Sequence, residues 1–122
     1  MSQTHLDFLR AYNNAFIAPD LNFILDNVTD DVRWEMVGEP IIEGKAAFTR
    51  AMKQMEGMTT LEMHVDDIIF SEGKGAVHGT MRTRNAAGKE YHFAFCDLYA
   101  LRGESEPKVA GIKAFVLPLK DD

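Results

Sequence analysis

Tyr91-His92-Phe93-Ala94-Phe95-Cys96-Asp97-Leu98-Tyr99-Ala100-Leu101, residues 91–101, is an apolar run interrupted only by His92 and Asp97. Its length and its aromatic content mark a β-strand. Side chains of a strand alternate between faces, so Tyr91, Phe93, Phe95, Asp97, Tyr99 and Leu101 share one side. The other side carries His92, Ala94, Cys96, Leu98 and Ala100. A strand apolar on both faces suits a central position covered from both sides.

Working outward, turn residues bracket this strand. Asn85-Ala86-Ala87-Gly88 separates it from a strand over 75–84, in which Val77 and Met81 alternate with His78, Thr80 and Arg82. Upstream lies a strand over 61–70 with mixed alternation, closed by Ser71-Glu72-Gly73. Downstream, the polar turn 102–107 leads to a last strand over 109–117, with Pro118 ending its ladder. The first half reads as helical. Leu6, Phe8, Leu9, Tyr12, Ala15 and Phe16 form one stripe over residues 3–18, and Pro19 stops that helix. Asp20 is placed to cap a short second helix through Leu21, Ile24, Leu25 and Val28, which the Asp30-Asp31 pair ends. A first strand follows over 32–37, closed by Gly38 and Pro40. Gly44 then opens a third helix with the stripe Phe48, Met52 and Met55, ending near Gly57. Helices followed by hairpin-linked strands predict an α+β fold, with the helices gathered on one face of an antiparallel sheet. Long antiparallel strands twist and curl, leaving a hollow between sheet and helices where small ligands bind.

The 122 residues fit one domain, 1–122, large enough for a core. Net charge is −6, and the cations are scattered. Nucleic-acid binding needs a basic patch, so no nucleic-acid partner is expected. No apolar run approaches the ~20 residues of a membrane-spanning helix, and the N-terminus lacks secretory-signal character, which predicts no membrane partner and a cytoplasmic location. The lone Cys96 cannot form an internal disulfide, and no Cys/His spacing suggests a metal site.

Asp97 is the most informative residue. A carboxylate on an aromatic face is costly unless it is paired, hydrogen-bonded or protonated. It either pairs with an arginine or caps a turn, or it stays neutral and donates a hydrogen bond to developing negative charge, as in the enolate-stabilising device of isomerases. Tyr12 is the second candidate, on the inward stripe of the first helix. Its hydroxyl either satisfies a backbone carbonyl or joins Asp97 as a second oxyanion donor. Candidate ligand-binding residues are Phe16, Trp34, Met36, Met52, Met55, Tyr99, Ile112 and Val116, with Ala114 beside them; seven methionines suggest an adaptable wall. His64 and His78 lie on strands whose facing the pattern leaves open, and His92 alternates away from Asp97.

The whole chain resembles the SnoaL-like group of the nuclear-transport-factor-2-like (NTF2-like) superfamily, and within it the ketosteroid isomerases. The matching stretches are Leu9-Arg10-Ala11-Tyr12 with Asp20-Leu21, Thr29-Asp30-Asp31-Val32-Arg33-Trp34, and Gly44-Lys45-Ala46-Ala47-Phe48. Further on come Gly88-Lys89, Ala94-Phe95-Cys96-Asp97, Lys108-Val109 and Lys113-Ala114-Phe115. The resemblance implies a cystatin-like cone, the N-terminal helices packed on a curled sheet. It also implies a polyketide-cyclase or isomerase activity that stabilises the enolate of a hydrophobic carbonyl compound. Tyr12 and Asp97 fall on the two oxyanion-hole positions of the isomerases. Their general-base position falls on Met36, which cannot accept a proton. Glu35 is adjacent and is the first candidate base, although strand parity turns it outward unless a bulge rotates it in. No cofactor or metal is implied. The implied partners are a small hydrophobic molecule and a second copy, in a homodimer formed through the sheet. The alternative is a non-catalytic hydrophobic-ligand-binding or dimerisation module of the same fold.

Overall fold

A computed structural model describes residues 2–17, 20–55 and 57–120. The elements in order are α1 (Ser2–Ile17), α2 (Leu21–Asp26), β1 (Val28–Met36), β2 (Ile42–Glu43), α3 (Lys45–Gln54), β3 (Thr59–Ser71), β4 (Lys74–Arg84), β5 (Glu90–Arg102) and β6 (Lys108–Pro118). The strands form one sheet in the order β2-β1-β6-β5-β4-β3. Helices cover its concave face.

Local chemistry accounts for most boundaries. The Asp20 carboxylate accepts the Phe23 amide at 3.1 Å and caps α2. The expected helix stop at Pro19 lies outside the described residues. One boundary and one extra element depart from expectation. α2 ends at Asp26 rather than at Asp30-Asp31, because Val28 already pairs with Val109 of β6. The two aspartates therefore sit inside β1, where Asp31 takes both guanidinium nitrogens of Arg102 at 3.0 Å. β2 is a two-residue strand that the sequence pattern does not signal.

The sheet is mixed rather than purely antiparallel. β1 runs parallel to β6, and all other pairings are antiparallel. β5 is central as expected, bonded to β4 along one edge and β6 along the other. It is not covered on both faces: Leu98 is 43% exposed, and beside it on β6 Phe115 and Leu117 are also exposed.

Bulges produce the curl. The pairing of β3 with β4 slips between Val65 and Asp67. One extra residue there reverses the facing, so Met63 and Val65 point inward before it and Ile68 and Phe70 after it. The mixed alternation of the sequence is the trace of this bulge. β3 closes over β4 at Gly79, where a Cβ would collide with the His64 carbonyl oxygen. The core beneath combines Leu9, Tyr12 and Ala15 of α1 with Phe48 and Met52 of α3, and Val32, Val77, Phe95, Val109 and Ile112 of the sheet.

Candidate functional site

The concave face holds a cavity of about 140 Å³. Its floor is β5 and β6: Phe93, Phe95, Asp97 and Tyr99 alternate along one strand, and Ile112, Ala114 and Val116 along the other. Trp34 and Met36 of β1 form one wall, and Met63 of β3 and Met81 of β4 the opposite one. Asn13 and Phe16 of α1 close it from above, with Phe48, Met52 and Met55 of α3. Met55 and Val116 are partly exposed and mark its mouth.

All eight residues expected to bind ligand line this cavity, and so does Asp97: Phe16, Trp34, Met36, Met52, Met55, Tyr99, Ile112 and Val116. Asp97, Tyr99, Ile112 and Val116 share this face because β5 and β6 pair without a slip from Phe93 to Ala100. Trp34 is held in place by an edge-on contact with Phe48, ring centroids 6.0 Å apart.

Among the described residues Asp97 has no ion partner. Its cross-strand neighbours are Val77 on β4 and Ala114 on β6, both apolar. Among the described residues no hydrogen bond reaches its carboxyl, and burial pushes its pKa up to about 7. At neutral pH the group is therefore divided between acid and carboxylate. The alternative of an arginine pair or a turn cap does not hold. Tyr99, two residues on and facing the same way, donates its hydroxyl to Asn13 Oδ1 at 3.5 Å, and Asn13 Nδ2 donates to the Leu9 carbonyl at 2.8 Å. Burial and the neighbouring Asp97 charge hold the Tyr99 phenol well above its ordinary value.

The two other expected catalytic residues lie elsewhere. Tyr12 is fully buried, but its hydroxyl donates to the Ile24 carbonyl of α2 at 3.2 Å and does not reach the cavity. The ring packs edge-on against Tyr99 at 6.1 Å, so the tyrosine supports the site from behind. Its burial raises the phenol pKa. Glu35 lies across the sheet from the cavity, in a groove it shares with Arg33 and Lys113. β1 does contain an irregularity, but it falls between Val28 and Arg33, and Trp34 and Met36 still face inward. Asp97 is thus the one expected catalytic residue that the fold places in the cavity.

Asn13 is the polar lining residue that sequence reasoning missed. A signal existed: Leu9, Asn13 and Phe16 follow the i, i+4, i+7 spacing of an inward stripe. His64 and His78 are turned to solvent near acidic neighbours, His64 by Glu62 and His78 by Asp66 and Asp67. Cys96 lies on the face opposite Asp97, partly buried. Among the described residues no group of three His, Cys, Asp or Glu side chains could hold a metal ion. None of the described helices is long and apolar enough to cross a membrane.

Comparison with known proteins agrees with this geometry. The model of the SnoaL-like domain matches residues 9–105. No curated protein matches the sequence. Among solved structures, an NTF2-like protein of unknown function from Cytophaga hutchinsonii is 25% identical, with TM-score 0.65 over 96% of this chain and 99% of that one. The epoxide hydrolase/cyclase-like enzyme SalBIII, of pyran ring formation in the polyether salinomycin, superposes with TM-score 0.81 at 17% identity, over 95% of this chain and 92% of that one. A ketosteroid isomerase-like protein from Erwinia carotovora atroseptica gives TM-score 0.71 at 20% identity, over 89% and 90%. These likenesses establish the NTF2-like cone.

Proposed function

The chain belongs to the SnoaL-like domain family, and from that premise we propose that it is a small-molecule enzyme of the cyclase or isomerase type. In this reading Asp97 assists enolisation of a neutral, hydrophobic carbonyl compound held in the cavity. The observation that carries the reading is the unpaired Asp97 carboxyl on an apolar floor, poised near neutrality.

The chemistry follows from the residues present. In its acid form Asp97 donates a hydrogen bond to the substrate carbonyl oxygen. As the α C–H bond breaks, its electron pair moves toward that oxygen, and the carboxyl proton offsets the new charge. The apolar wall excludes water from this hydrogen bond and so strengthens it. Tyr99 and Asn13 stiffen the floor on the helix side without presenting a charge. No second carboxylate, imidazole or amine lines the cavity among the described residues, so the α proton leaves to solvent water at the mouth, beside Met55 and Val116, away from the dry floor where Asp97 donates.

Deuterium exchange at the α carbon of cyclohexanone, followed by NMR in D2O, tests it. The wild type is expected to exceed buffer, and Asp97→Asn to lose about 10²–10⁴-fold of that excess, the usual range for a positioned acid or base. Equal exchange by both proteins removes Asp97 from the chemistry. A second reading is a non-catalytic binding module for hydrophobic metabolites, and the observation favouring it is Met36 at the isomerase base position. It predicts thermal stabilisation by ketones with no exchange above buffer.

A further inference from the structure

The size of the cavity carries a consequence that its chemistry does not. Its volume of about 140 Å³ is close to that of buried apolar cavities, about 150 Å³, that hold a single benzene ring. Pockets for drug-sized ligands begin at about 300 Å³. The walls resist enlargement. Phe95, Tyr99 and Ile112 are buried on strands bonded along both edges, so the floor cannot retreat without breaking ladder pairs. Above, Phe48 is fully buried and locked against Trp34. The remaining wall is largely methionine, whose side chains change shape readily but still occupy their volume. Among the described residues the lining also lacks any Lys, Arg or His that could neutralise an anion.

We propose that the cavity is a one-ring site, admitting neutral monocyclic ketones and related oxygen compounds and turning away fused multi-ring ones and carboxylates. The size limit rests on the walls alone. Where the ligand oxygen points rests on the reading of Asp97 given above.

The methionines supply the readout. Five of the seven, Met36, Met52, Met55, Met63 and Met81, line the cavity, whereas Met58 does not and serves as an internal reference. With 13C-methyl methionine in the full chain, cyclohexanone, 1-decalone, androstane-3,17-dione and cyclohexanecarboxylate are titrated at pH 6 into wild type and Asp97→Asn. Cyclohexanone is expected to shift the lining methyls saturably, with Met58 unmoved. The four-ring dione and the carboxylate are expected to bind at least tenfold more weakly. The variant Met63→Ala/Met81→Ala, which removes bulk from one wall, is expected to bring 1-decalone to within threefold of cyclohexanone.

The proposal is overturned if the dione binds wild type as tightly as cyclohexanone, or if cyclohexanone leaves the lining methyls unmoved. Tight binding of the carboxylate overturns the neutrality clause. The Asp97 reading is scored separately, by the ratio of cyclohexanone affinity between wild type and Asp97→Asn. An unchanged ratio with the size order intact sinks the acid role and keeps the one-ring site. A tenfold loss with the size order reversed does the opposite.

Discussion

At the scale of single residues, Asp97 couples the site to stability. Its pKa rises from an ordinary 3.8 to about 7 because burial disfavours the charged form. Below about pH 4 both folded and unfolded chains hold the proton, and the group is neutral to stability. Between pH 4 and 7 the unfolded chain releases it first, so the folded state loses ground. Above pH 7 both are ionised and the loss is complete, up to roughly 4 kcal/mol at 1.36 kcal/mol per unit. Denaturant melts at pH 5, 6.5 and 8 should therefore show Asp97→Asn gaining on wild type as pH rises, and a constant difference would contradict the burial described. The residue was legible in the sequence because strand parity is strict: once residues 91–101 form a strand, Asp97 must share a face with four aromatics. Tyr12 was legible only halfway. Helix periodicity turns its ring inward, but the direction of the hydroxyl depends on the carbonyl nearest to it, and α2 supplies one at Ile24. No pattern within α1 carries that information.

At the scale of elements, the bulge in β3 and the glycine opposite it act as one device. Gly79 pairs with Val65, the last residue before the slip. Its missing side chain lets the β3 backbone bend across β4, and any Cβ would meet the His64 carbonyl. Gly79→Ala is thus expected to cost about 1–3 kcal/mol or more, the range of overpacking a site that cannot relax. Urea unfolding would show it, and a loss under 1 kcal/mol would mean that β3 can swing away. Such a swing would also carry Met63 out of the wall, so the same variant should weaken ketone binding. The sequence showed the bulge only as broken alternation over residues 61–70, with Val65 and Ile68 out of phase. It could not show which strand the bend leans on, since pairing partners are set by the whole sheet. For the same reason Glu35 had two conceivable facings until the irregularity in β1 was located upstream of Trp34.

At the scale of the whole molecule, β6 holds the sheet together. It lies between β1 and β5, pairing parallel with one and antiparallel with the other. Successive strands separated by short turns suggest an antiparallel meander, and that logic gives β3, β4, β5 and β6 in their observed order. It says nothing of β1, because its neighbour is some eighty residues further along the chain, as Trp34 and Ile112 illustrate. Removing β6 by ending the chain at Pro107 should leave Val32 and Phe95 uncovered and yield a chain without dispersed methyl resonances. A well-dispersed spectrum from that fragment would show that β1 and β5 can find another partner. The arrangement also bears on how the chain comes to be folded. During synthesis the helices and β1 emerge early, then the β3–β4–β5 meander, and each has an open edge facing the gap where β6 belongs. Both edges stay open until residues 108–118 leave the ribosome, so the sheet closes in one late, long-range step, slow by the measure of contact order. In that interval two apolar strand edges invite pairing with a neighbouring nascent chain.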